Sequence, residues 1–94
     1  MANVTTTETT IYTTPSNIQY AEIKLLINEK SGSANTLTLK IYKSGEASAE
    51  REIELKIDAY DVFDMTLKML PGRVLKGTAA ADSIQVEPMK VTYY

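Results

Sequence analysis

The sequence contains no cysteine, no histidine and no tryptophan, and each absence closes off a region of chemistry. Without cysteine there are neither disulfides nor thiolate nucleophiles, and a small domain lacking such staples reads as intracellular in origin. The missing histidine removes the commonest general base and the commonest transition-metal ligand together. Ser-His-Asp and Cys-His catalysis and ordinary zinc sites are thereby excluded. Long apolar runs are also lacking: none approaches the roughly 18 to 20 residues that span a bilayer. Met1-Ala2-Asn3 leads into threonines, not into the charged and then apolar regions of a signal peptide. Neither a membrane span nor export by a leader is expected, so release from a cell would follow lysis or assembly into something larger.

No sign of charge dominates either. Ten Lys and Arg stand against twelve Asp and Glu, giving a net charge of −2, and the two signs are interspersed along every segment. Nucleic-acid binding, which draws on clustered cations that displace counterions, is therefore not expected. Only 7% of residues are aromatic, so core volume must come mainly from Ile, Leu, Val and Met. Ninety-four residues make one domain, and a chain this short buries only about 60 to 65% of its unfolded surface. Stability is expected to draw partly on self-association or a partner.

What the sequence does have is a period of two almost everywhere. Ala21, Ile23, Leu25 and Ile27 alternate with Glu22, Lys24 and Leu26, the pattern of a strand with one buried face. Leu37, Leu39 and Ile41 repeat it against Thr38, Lys40 and Tyr42, as do Ile53, Leu55 and Ile57 against Glu52, Glu54 and Lys56. From Phe63 to Met69 a helix would also gather Tyr60, Phe63, Leu67 and Leu70 on one face. A strand is favoured, because Asp64, Thr66 and Lys68 then all reach solvent. Arg73 to Gly77 and Ser83 to Tyr93 are further strands, and in the latter the apolar phase slips by one after Pro88, which predicts a β-bulge or an edge position there. Ser31-Gly32-Ser33-Ala34-Asn35, Ser44-Gly45-Glu46-Ala47-Ser48 and Pro71-Gly72 supply turns. The fold expected is all-β: a single-domain antiparallel β-sandwich or jelly-roll of about seven to eight strands. Its core should contain Ile23, Leu25, Ile27, Leu37, Leu39, Ile41, Ile53, Leu55, Ile57 and Leu67.

The first residues differ in character, since seven of the first fourteen are Thr. Threonine favours extended backbone but supplies little apolar area. Residues 1–10 therefore read as a Thr-rich arm preceding a sandwich over 11–94, either frayed or free to add a strand to a neighbouring subunit. Deleting such an arm should leave the fold intact.

Few residues invite a chemical role. Asp58, Asp61 and Asp64 recur every third position, but Asp58 to Met69 lacks the central glycine and terminal Glu of a calcium loop. Turn residues and a solvated strand face explain them better. The cluster Glu50, Arg51, Glu52, Glu54 and Lys56 reads as a solubilising face that also guards an edge strand. No catalytic, cofactor or metal residue is assigned, and an enzyme is not expected. The six tyrosines stand out, because Tyr combines rigid contact area with a hydrogen-bonding tip. Tyr12, Tyr42, Tyr93 and Tyr94 are the interface candidates, Tyr42 because its phase points outward.

Four stretches resemble a family of small bacteriophage virion proteins found among head decoration, head fibre and tail accessory components. Ile11-Tyr12-Thr13-Thr14-Pro15 looks like the family's opening element, and Ala21 to Asn28 like the strand that follows. Ser31 to Leu39 is similar to its Ser-Gly-Ser-Ala hairpin, and Leu70 to Gly77 with Thr78 to Ile84 to its last turn and small-residue loop. Arg73 stands where the family usually has Asp, and Glu29-Lys30 lengthens the turn after Asn28. The resemblance implies a β-sandwich, without catalytic residues or cofactors, that assembles in multiple copies on a virion. Its partners would be phage capsid or tail proteins and further copies of itself, as a trimer or larger ring. A carbohydrate- or ligand-binding β-sandwich, with Tyr42, Tyr60 or Tyr94 stacking on sugar rings, is the alternative.

Overall fold

The structure, a computed structural model, describes residues 2–94; Met1, the first residue of the expected arm, lies outside the described residues. The described residues form eight strands: β1 (Ala2–Val4), β2 (Thr9–Thr13), β3 (Ala21–Glu29), β4 (Asn35–Lys43), β5 (Arg51–Ile57), β6 (Val62–Met69), β7 (Arg73–Ala79) and β8 (Ile84–Tyr93). Among the described residues there is no helix, so the ambiguous stretch after Tyr60 is a strand. One sheet runs β1-β8-β3-β6 and the other β2-β7-β4-β5. Strands from the two halves of the chain pair antiparallel as β1 with β8, β2 with β7, β3 with β6 and β4 with β5. One long hairpin rolled up in this manner is a jelly-roll.

Alternation dictates the core. Ala21, Ile23, Leu25 and Ile27 of β3 face Leu37, Leu39 and Ile41 of β4 across the sandwich, all buried, and Ile57, Leu67, Met69, Leu75, Ile84 and Val86 complete the layer. Fully burying one such side chain is worth about 1.5–3 kcal/mol. Ile53 and Leu55, expected inside, are only half-buried, because β5 ends its sheet and has a neighbour on one side only. The slip predicted near Pro88 is a bulge: Lys24 pairs with Lys90 but Leu25 with Pro88, which leaves Met89 unpaired and exposed. Behind it Val91 returns to the core side.

The segment expected as an arm is built into the sheets. Val4 is fully buried, β1 pairs with Ile84 to Val86, and the boundary after residue 10 falls inside β2. Even the threonine loop is tied down, since Ala79 N–H donates to the Thr5 carbonyl (2.8 Å) and Thr6 N–H to Asp82 Oδ1 (2.9 Å). Gly77 marks where this segment closes over β7: a Cβ there would lie 2.9 Å from Ile11 Cδ1 and 3.5 Å from both Val4 and Leu39. Thr14, also buried, fastens the end of β2 to the Pro71-Gly72 turn, donating to the Leu70 carbonyl at 2.8 Å and accepting from Arg73 N–H at 2.9 Å. Gly72 takes φ +63° in that turn, a backbone state that favours glycine.

Closure at one flank contrasts with the other. On the β5–β6 side the two sheets end in free strands, and the inward-facing Ile53, Leu55, Phe63 and Met65 are only half-covered.

Candidate functional site

The tyrosines fall into three settings. Tyr12 on β2 and Tyr93 on β8 meet across the sandwich, hydroxyl to hydroxyl, although 81 residues separate them. Burial, followed by the bond to Tyr93 and that hydroxyl's charge, pushes the Tyr12 phenol up to about 12. Tyr94 stacks on Tyr20 with ring centroids 4.6 Å apart, while Lys68 Nζ lies 4.4 Å from the Tyr20 centroid. Backbone bonds from Gln19 to Tyr94 (2.7 Å) and from Tyr94 to Tyr20 (2.9 Å) hold the last residue in place. Tyr93 and Tyr94 each keep about half their surface in solvent, so both are available for contact.

Tyr42 points to the outer face, as its phase predicts, yet only 9% of it is exposed. Its hydroxyl donates to Glu8 Oε2 at 2.8 Å, and Lys76 Nζ covers the ring at 5.0 Å from the centroid. The bond to Glu8 is the main reason its phenol lies above the usual value. Glu8 comes from the threonine segment, so the sequence pattern of β4 alone carried no sign of this cover. Tyr60, in contrast, is 70% exposed. It stands at φ +57° in the turn between β5 and β6, its ring against Gly32.

The acidic residues do not converge. Asp61 N–H donates to the Asp58 carbonyl (3.2 Å), closing a turn, and Asp64 on β6 lies 3.5 Å from Lys24 Nζ. Among the described residues no group of three acidic side chains is placed to hold a metal ion. Glu50 binds Arg73 through both nitrogens of a fork, at 2.9 and 3.2 Å, which holds its carboxyl below the usual range.

One buried charge was not anticipated from the sequence. Glu29 at the end of β3 is 1% exposed, and its carboxylate accepts from Ser31 N–H and Oγ (both 2.6 Å) and from Ser83 Oγ (2.8 Å). Asn35 buttresses the cluster, donating to the Ala81 carbonyl and to Ser83 Oγ. Burial pushes the carboxyl up, but the donors prevail and hold it below its ordinary value. With every partner stabilising the ionised form, this is a clamp joining the loops after β3 and β7. The only local signal for it is the glutamate two residues before Ser31, since serine donors at that spacing form such turns, and it does not reveal the burial.

A shallow, open depression of about 200 Å³ lies on the outer face of the β8-β3-β6 sheet. It is lined by Glu22, Lys24, Thr66, Lys90, Thr92 and Tyr94. Fold and surface together define a jelly-roll sandwich whose notable features are tyrosine clusters and free strand edges. The chain matches no known protein-family model, no curated protein and no solved structure.

Proposed function

We propose that the chain is a non-enzymatic structural protein of a bacteriophage particle, a capsid decoration or tail accessory component, working through protein–protein contacts and self-association. The jelly-roll topology carries this reading, since viral capsid domains use the same roll. It accords with the ordered resemblance of segments between residues 11 and 92 to small virion proteins. Fold alone admits many functions, so the surfaces matter: Tyr60, Val62, Leu70, Met89, Tyr93 and Tyr94 expose apolar area suited to contacts with protein. Co-sedimentation of the purified protein with empty phage particles tests it. Saturable binding in fixed stoichiometry is expected, and genes for metabolism rather than capsid, portal or tail beside its own would sink the idea.

A second reading rests on the polar depression with Tyr94 at its rim, which has the make-up of a weak sugar subsite on a fold that lectins also use. Against it, the Tyr94 ring is already stacked on Tyr20 and the Tyr42 ring is covered. A glycan array without hits disposes of it.

A further inference from the structure

Four strands end the two sheets, and natural sheets blunt such edges against pairing. β1 is only three residues long, and β2 carries a register shift between Thr10 and Tyr12. β5 bears Glu52, Glu54 and Lys56 on its outer face. β6 has none of these protections to the same degree: it pairs without interruption with β3 from Val62 to Met69, contains neither Pro nor Gly, and points no charge inward.

Its sequence is also self-complementary. In an antiparallel pair, residues directly opposite share a face, and opposite charges attract across the ladder while like charges repel. Setting β6 against a second β6 with Thr66 on a two-fold axis places Asp64 opposite the partner's Lys68, and Lys68 opposite the partner's Asp64. Val62, at the start of the strand, then meets the partner's Leu70, just past its end, and both are exposed apolar residues at 57% and 47% exposure. On the inner face the half-buried Phe63 and Met65 meet the partner's Met69 and Leu67. No like charges face each other in this register. For β5 the corresponding registers fail: an axis at Glu54 opposes two glutamates, and an axis at Leu55 sets Glu52 against the partner's Asp58. Asp64 lies 3.5 Å from Lys24 Nζ and Lys68 lies over the Tyr20 ring, so pairing would draw both exposed charges from contacts on the β3 side to the second copy.

We propose that two copies of this chain pair antiparallel through β6 about a two-fold axis at Thr66, joining two four-stranded sheets into one continuous sheet. This deepens the self-association in the function proposed above and makes a dimer, not a trimer or larger ring, the unit of assembly. Because the chain has no cysteine, Thr66→Cys introduces a single thiol that meets only its own copy. Oxidation of that variant should give a covalent dimer, whereas Glu54→Cys on β5 should stay monomeric. By sedimentation equilibrium, Asp64→Lys and Lys68→Asp should each weaken dimerisation about tenfold or more, since each creates two like-charge pairs about the axis. The double variant carrying both changes restores the opposite-charge pairs and should recover dimerisation. All these sites are exposed, and circular dichroism checks that each variant folds. A protein that stays monomeric at its highest soluble concentration, Glu54→Cys cross-linking in place of Thr66→Cys, or a double variant no better than the singles would each overturn the proposal. These measurements need no particle, so their failure is distinct from a failure to bind one.

Discussion

Glu29 shows how one side chain can make stability depend on pH. Its folded carboxyl lies below the ordinary value of 4.5, so the stabilisation it gives is full above that value and is lost as pH falls through the lower, folded one. Glu29→Gln keeps the shape but places an amide among donors, and it should cost about 1–3 kcal/mol near neutral pH. Urea melts between neutral pH and pH 3 should show the variant losing less stability on acidification than the parent. A parallel slope would mean that the Ser31 and Ser83 bonds do not favour the charged form. Tyr12 has the opposite sign. With its phenol raised from 10.0 to about 12, its contribution is full below the ordinary value and fades as pH climbs through that interval. Ultraviolet titration should therefore find one tyrosine that ionises last, and Tyr93→Phe should bring it down.

At the scale of elements, the first two strands depart most from what their composition suggests. A threonine-rich stretch holding only Val4 as a sizeable apolar residue after Met1 promises little, yet that valine is fully buried and β1 is laddered to β8. Deletion of Met1 to Val4 should thus cost at least about 1.5–3 kcal/mol from the lost valine burial alone, where a frayed arm would cost nothing. A urea midpoint unchanged by the deletion would show that β1 adds no stability. In β4 the faces were legible from alternation. Leu39→Ala should cost about 2–5 kcal/mol, while Lys40→Ala, one residue along on the outer face, should cost almost nothing; equal melting temperatures would mean the faces are misassigned.

For the whole molecule, the jelly-roll sets a kinetic cost. β1 pairs with β8 and β2 with β7, so the outer pairs of the rolled hairpin join residues as far apart as Ala2 and Val86. All-β sandwiches dominated by such distant pairs fold in about milliseconds to seconds. Stopped-flow refolding should fall in that range, and a microsecond phase accounting for the full amplitude would contradict the pairing described. The open β5–β6 flank is a feature of this same scale, since two free edges lie together only because the chain crosses from one sheet to the other at Asp58 to Asp61.

The all-β class, the inward faces of β3, β4 and β6, the turn at Pro71-Gly72 and the slip of apolar phase after Pro88 were determined by the sequence alone, while the tertiary structure made that slip a bulge. Each follows from local rules: a period of two, the backbone freedom of glycine and the N–H that proline lacks. The order of strands in each sheet, the burial of Val4, the cover that Glu8 and Lys76 place over Tyr42, and the buried carboxylate of Glu29 were decided only by the tertiary structure. Those depend on which distant segments become neighbours, and alternation specifies the face of a residue without specifying what lies against it. The half-exposure of Ile53 and Leu55 has the same origin: the pattern of β5 is that of a core strand, and only its place at the end of a sheet leaves the second side uncovered.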